Sequence, residues 1–233
     1  MSFPKAPFQS TIQGAVGMVA NVWQQWFDRV QYILNAITSS GPTSARPTSG
    51  LYVGQPYFDT DLGQQVIWNG TEWTFCGSGF YGTFFDNTNQ TAANTTTAYA
   101  VTFNTPDGAN GVELKNSSHI TFPYAGVYNI QFSIQFINTD NNSNNPLEVN
   151  VWFRKNGADI EESNSQFTVV NKHGSHNGAM IAALNFVIEL NANDYIQIMW
   201  QTENTSISIK TLPAGTTPTT PVTPSVILTA VQV

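Results

Sequence analysis

The chain has 233 residues, of which 41% are hydrophobic and 12% aromatic but only 10% charged. That is enough apolar material for one sizeable β domain with a small extra module, and its charge-poor surface must be solvated by Asn, Thr, Ser and Gln. Eight scattered basic residues stand against 15 acidic ones, a net charge of −7, which excludes the clustered cationic surface that a nucleic-acid backbone requires. A lone cysteine, Cys76, rules out an intrachain disulfide framework. No apolar run approaches the ~20 residues of a membrane span. The start MSFPK has no charged region followed by an apolar stretch, so synthesis in a cytoplasm is expected.

Residues 1–10 carry Phe3, Pro4, Pro7 and Phe8 and are read as an anchor segment. From Ile12, apolar residues fall at alternating four- and three-residue steps through Val16, Val19, Trp23, Trp26, Val30, Ile33 and Ile37. This heptad seam predicts a helical stalk over 11–40 whose stripe packs against copies of itself. Gly14 and Gly17 weaken its first turns, so the firm helix is expected from about Val19. An amphipathic helix lying on its own domain is the competing reading, because Phe27 and Leu34 widen the stripe. Bulky or β-branched residues at both seam positions favour three strands.

Gly41 and Pro42 stop the helix, and the Pro/Ser/Thr-rich stretch to Ser49 reads as a linker. Short strands are predicted at 55–59, 64–68 and 72–75, separated by the turn formers TDLG at 60–63 and Asn69-Gly70. Residues 41–76 are thus a linker and a small meander. Its Tyr57, Phe58, Trp68 and Trp73 are read as a docking surface, since exposed aromatics on so small a sheet call for a cover. GSGFYG at 77–82 spells the dinucleotide fingerprint, but strand and turn formers follow it instead of a helix. A hinge over 77–83 is therefore expected.

From Phe84 onward no helix is predicted. Strands are expected at 99–103, 111–114, 119–122, 126–138, 147–155, 167–170, 179–189, 195–202, 206–209 and 225–233, divided by Asn/Gly/Pro/Asp turns, as in a β sandwich or jelly roll. Alternation is clearest at 128–136, where Tyr128, Ile130, Phe132, Ile134 and Phe136 share one face. YIQIMW at 195–200 is more apolar, as suits a strand covered on both faces or lying at a subunit contact.

The head, 84–233, resembles the C1q/TNF-like jelly roll. FPYAGVY at 122–128 with Phe132 is similar to that family's entry into a central strand, VWFRKNG at 151–157 to its strand ending in a Lys-Asn-Gly turn, and LNANDY at 190–195 to the segment before a late strand. Asn193 departs from the family's usual Gly. Pro213, Pro218, Pro221 and Pro224 make an unusual approach to the last strand, read as an extended, water-facing connector. The resemblance implies a homotrimer with strands packed around a threefold axis.

The first 75 residues resemble the N-terminal regions of small bacteriophage virion proteins, on PKAPF at 4–8, WQQWF at 23–27, RPTSGLY at 46–52, GQPYFDTDLG at 54–63 and WNGTEW at 68–73. The last two look like hairpins that recur in phage fibres and decoration proteins. The resemblance implies a virion protein, made in the host bacterial cytoplasm, whose partners are itself and other virion proteins such as a capsid, tail adaptor or nozzle. A trimeric tail or head fibre is the leading expectation and a capsid decoration trimer the alternative; a depolymerase or a soluble C1q/TNF-like ligand fits less well.

No catalytic motif is declared by spacing: there is no G-x-S-x-G, P-loop, H-E-x-x-H or C-x-x-C. His173 and His176 in HGSH are read as a polar loop rather than a metal site. DNNSNN at 140–145, with Asp140, Asn142 and Asn144, offers oxygen ligands to a surface calcium ion but also reads as a solvated turn. No other cofactor is expected. These loops, 140–146 and 171–178, are the candidate receptor loops for a host-surface glycan or protein. Glu161 and Glu162 are read as a solvated acidic patch.

Overall fold

The computed structural model describes residue 6 and residues 21–76, 79–141 and 146–233, with the side chains of 35–38 outside the description. It is mainly β, and the chain divides between residues 78 and 79 into two compact units.

In the first unit, helix α1 (Asn21–Thr38) is followed by β1 (Ser40–Gly41), a 3₁₀ turn (Thr43–Ala45), β2 (Pro56–Asp59), β3 (Gln64–Trp68) and β4 (Trp73–Phe75). The meander matches the sequence reading within a residue at its strand starts, and both hairpins are antiparallel. Asn69 closes the second turn by accepting the N–H groups of Thr71 and Glu72, each at 2.8 Å, as Asx turns do. The expected linker, however, supplies a fourth strand: Ser40 and Gly41 pair in parallel with Phe58 and Asp59. Gly41 is needed there, because a Cβ would lie 2.7 Å from the hydroxyl of Tyr57.

Asp59 holds this unit together. Its carboxylate is fully buried, pairs with Arg46 Nη2 at 2.7 Å, and accepts from Thr43 Oγ1 and from the backbone N–H of Asp61 and Leu62. Burial pushes its proton affinity up, but the hydrogen bonds from Thr43, Leu62 and Arg46 outweigh it and hold the carboxyl below its ordinary value.

The second unit contains β5 (Tyr81–Asp86), β6 (Gln90–Thr91), β7 (Tyr99–Ala100), β8 (Thr105–Asn110), β9 (Glu113–Lys115), β10 (His119–Phe122), β11 (Gly126–Asn138), β12 (Leu147–Lys155), β13 (Ala158–Asp159), β14 (Ser165–Val169), β15 (Gly178–Leu190), β16 (Asp194–Thr202), β17 (Ile207–Ile209), β18 (Gly215–Thr216), β19 (Thr219–Thr220) and β20 (Val226–Gln232). One sheet runs β15-β11-β20-β5-β8, with β17 and then β6 beside the far end of β11. The other runs β14-β12-β16-β10-β9, with β13 beside the end of β12 and β7 beside the end of β16. Tyr81–Thr83, expected in a hinge, are strand residues paired with β20, so Gly82 of the fingerprint lies in a strand and not in a helix.

The core lies between the sheets. Tyr128, Ile130, Phe132, Ile134 and Phe136 all point inward from β11, where Phe132 meets Phe153 at 5.6 Å and Phe136 meets Trp200 at 5.8 Å between ring centroids. Large apolar side chains interdigitating this way supply most of the stabilisation of a sandwich. β16 is covered on both faces, as its composition suggested: Ile198 and Trp200 enter the core, while Met199, register partner of Trp152 and Ala100, is also buried.

Three local expectations need correction. The strand predicted at 99–103 is regular only over Tyr99–Ala100, because the chain crosses from one sheet to the other: Val101 N–H bonds the carbonyl of Ile198, and Asn104 N–H that of Phe85. The strand predicted at 111–114 starts at Glu113, since Gly111 turns with φ +70°. The proline-rich approach is water-facing but not extended, because β18 and β19 fold it into a hairpin fastened by Thr220 Oγ1 on Gly215 N–H.

Candidate interaction surfaces

Phe3, Pro4, Pro7, Phe8 and Val19 lie outside the described residues, as does the side chain of Ile37. Of the remaining seam, Trp23 is buried and Trp26, Val30 and Ile33 are half-buried within a single chain. The seam face of α1 is therefore turned inward, and the helix packs on β2. Tyr32 is fastened to the same unit through its hydroxyl, which donates to the carbonyl of Gly50 at 2.9 Å. What α1 leaves exposed is a second stripe bearing Phe27 and Leu34, seven residues apart.

The meander aromatics divide in the same way. Tyr57 is buried, its hydroxyl on the carbonyl of Pro42 at 3.1 Å, so it belongs to the core of the unit and not to a docking surface. Trp73 lies between Tyr57 and Trp68, its ring centroid 5.8 Å from each, tilted to the first and edge-on to the second, and donates its indole N–H to the carbonyl of Pro47; both tryptophans are half-buried. Phe58 remains open to solvent.

Among the head loops, His173 and His176 exchange backbone hydrogen bonds across a tight turn, and both side chains are exposed. Asp140 is held by Asn204 Nδ2 at 3.2 Å; Asn142 and Asn144 lie outside the described residues. Among the described residues, no three His, Cys, Asp or Glu side chains converge to hold a metal ion, and no helix is long and apolar enough to cross a membrane.

A further exposed apolar surface is the outer face of the sheet β15-β11-β20-β5, which sequence reasoning did not single out. Register places Val187, Asn129, Val231 and Tyr81 in one row across it, with Ala183, Ser133, Ile227 and Phe85 in a parallel row. Val187 is 63% exposed and Ile181, further along β15, is 58% exposed, with Tyr81, Val127, Ile227 and Val231 also open. The polar residues among them, Gln131, Ser133, Gln135, Asn185, Thr83 and Thr229, are uncharged; Glu189 at one end is the exception among the described residues. In the row next to Glu189, Asn129 Oδ1 is buried yet has no hydrogen-bond partner, an arrangement that costs about 1–3 kcal/mol if nothing completes it. The signal was present in AMIAALNFVIEL at 179–190, which is apolar on both parities, unlike a strand with one wet face. The opposite outer face, on β12, β16 and β14, carries Glu148, Arg154, Gln166 and Gln197 and looks like ordinary solvated surface apart from Trp152.

No family model matches the chain, and no curated protein matches it.

Two of the titratable groups with displaced proton affinities, Asp194 and Tyr128, fasten backbone in the head. Asp194 is buried, which raises its affinity, but Asn156 Nδ2 at 2.7 Å, the N–H of Asn191 at 2.8 Å and the charge of Lys155 bring it below the ordinary carboxylate value. Asn193 adopts φ +68° in this turn, a left-handed conformation that Asn tolerates better than most residues. Tyr128, buried on β11 with its hydroxyl on the carbonyl of Tyr124, is pushed up to about 12, by burial first and by Tyr124 second.

Proposed function

We propose that this chain is a non-enzymatic structural component of a bacteriophage particle: a homotrimeric tail or head fibre docked through its N-terminal region and projecting a jelly-roll head. The observation that carries the reading is the largely uncharged, apolar outer face of β15-β11-β20-β5, with the unpartnered Asn129 oxygen towards one end of it. An exposed apolar face of this kind is a liability in a solitary molecule and an asset when copies of the chain pack it around a shared axis. The strand order supports the jelly-roll part of the proposal. β15-β11-β20-β5 are neighbours in one sheet and β14-β12-β16-β10 in the other, an order compatible with a double Greek key.

The phage part rests on the likeness of the first 75 residues to virion proteins, and the exposed Phe58 and the Phe27 and Leu34 stripe are surfaces that other virion proteins can cover. Antibodies raised against the chain test the assignment: they should decorate purified particles at a discrete, repeated position. Labelling restricted to soluble cell extract would overturn it.

A further inference from the structure

We propose that the hollow around Trp152, on the sheet opposite the apolar face, binds uncharged carbohydrate. The hollow measures about 490 Å³, within the range of small-ligand sites, and its geometry follows from three elements. β12 turns Trp152 outward between inward-facing Val151 and Phe153. The indole is held in one orientation, its Nε1 donating to Asp159 Oδ1 at 2.8 Å while Arg154 Nε donates to the same oxygen at 2.7 Å. These two hydrogen bonds, from Arg154 and then Trp152, keep Asp159 ionised below its ordinary range.

The wall is residues 160–164, and it is pinned. Ser163 is buried and its hydroxyl accepts from Phe153 N–H at 3.1 Å and donates to Ile160 carbonyl at 2.7 Å. Glu162 beside it is held at φ +62°, a conformation that non-glycine residues adopt at a cost. Across the floor runs a chain of amides: Asn164 Nδ2 donates to Asn150 Oδ1, Asn150 Nδ2 to Gln201 Oε1, and Gln201 Nε2 to the carbonyl of Thr95. Each link uses one N–H of Asn164 and Asn150 and leaves the other, together with the Asn164 carbonyl, without a partner among the described residues.

A fixed aromatic plate beside oriented amides and carboxylates suits a ligand with one apolar face and a rim of hydroxyls, which is the chemistry of a pyranose ring. Charge selects further. Glu161 and Glu162 line the rim with Asp159, and the nearby guanidinium of Arg154 is already engaged, so sulfated, phosphorylated or carboxylated sugars are repelled. The inference extends the adhesive side of the fibre reading and rests on it for its biological setting.

The test uses the full chain, titrated by calorimetry with neutral hexose and N-acetylhexosamine oligosaccharides, with a sulfated glycan and a lysine-rich peptide as controls, up to about 1 mM. Binding to a neutral oligosaccharide is expected, with a loss of about tenfold or more in Trp152→Ala and in Asn164→Ala and retention in Trp152→Phe. Asn164 is an exposed loop residue, so that variant keeps the test sound if Trp152→Ala fails to fold. No binding to any neutral oligosaccharide, preference for the anionic glycan or the peptide, or binding unchanged in both alanine variants would each overturn the inference. Sedimentation of the same samples separates the two readings: a trimer that binds no neutral glycan leaves the fibre proposal standing and removes this one.

Discussion

Asn156 and Asp194, 38 residues apart in sequence, clasp each other at 2.7 Å and join the turn after β12 to the turn before β16. Asn156 Oδ1 in turn accepts the N–H of Tyr195 at 3.0 Å, so each side chain fixes the other's loop. Asp194→Ala should destabilise the head by ~1–3 kcal/mol, since it strands the Asn156 amide and the Asn191 N–H. The folded-state proton affinity of Asp194 is depressed, so its contribution is present in full above the unfolded value of about 3.9 and is lost as pH falls through the lower folded value. Urea unfolding of the wild type and variant at neutral and acidic pH measures this: the gap between them should narrow as the pH drops.

Alkali should act through Tyr128. Its affinity is raised to about 12, so the stability it contributes is complete below the unfolded value of about 10 and lost between there and the folded value. Tyr128→Phe should cost ~1 kcal/mol at neutral pH through the bond to Tyr124 and should flatten the alkaline decline in melting temperature. An alkaline decline as steep as that of the wild type would contradict the assignment.

Asp59 gives the sharpest prediction for the N-terminal unit. Asp59→Ala leaves Arg46 without its partner and frees the turn at 60–62, and breaking a buried pair from one side costs ~3–5 kcal/mol. The meander should open while the head stays folded, visible as hydrogen exchange rising across 40–75 with 119–202 unchanged.

The long strands and the meander were legible in the sequence and several of the short head strands were not, for reasons that particular residues make plain. β10, β11 and β12 begin and end where the alternation says, because one buried face enforces a period of two. β8 was missed since TPDGAN at 105–110 is made of turn formers, tolerated on an edge strand whose outer side needs no partner. The helical seam was visible as a stripe, yet periodicity cannot say whether a stripe meets a copy of itself or its own β2. Tyr57 shows the same limit, since an aromatic on a small sheet reads as exposed until an unforeseen fourth strand covers it. The Trp152 hollow was hidden because Asn150, Asp159, Asn164 and Gln201 come together only through the pairing of β12 with β13 and β16.

The apolar sheet face can be separated from the helix by paired substitutions. Val187→Asp places a carboxylate on the most exposed apolar residue of that face, on its edge strand β15, and burying it between copies costs several kcal/mol per chain. The variant should therefore sediment as a folded monomer, with unchanged far-ultraviolet circular dichroism. Trp26→Asp should affect α1 and the first unit while the head still self-associates.

The most direct measurement is sedimentation equilibrium of the full chain at micromolar concentration. Closing the β15-β11-β20-β5 faces around one axis predicts a mass of three chains, reduced to one by Val187→Asp. A wild-type protein that remains a single chain across that concentration range would contradict the account.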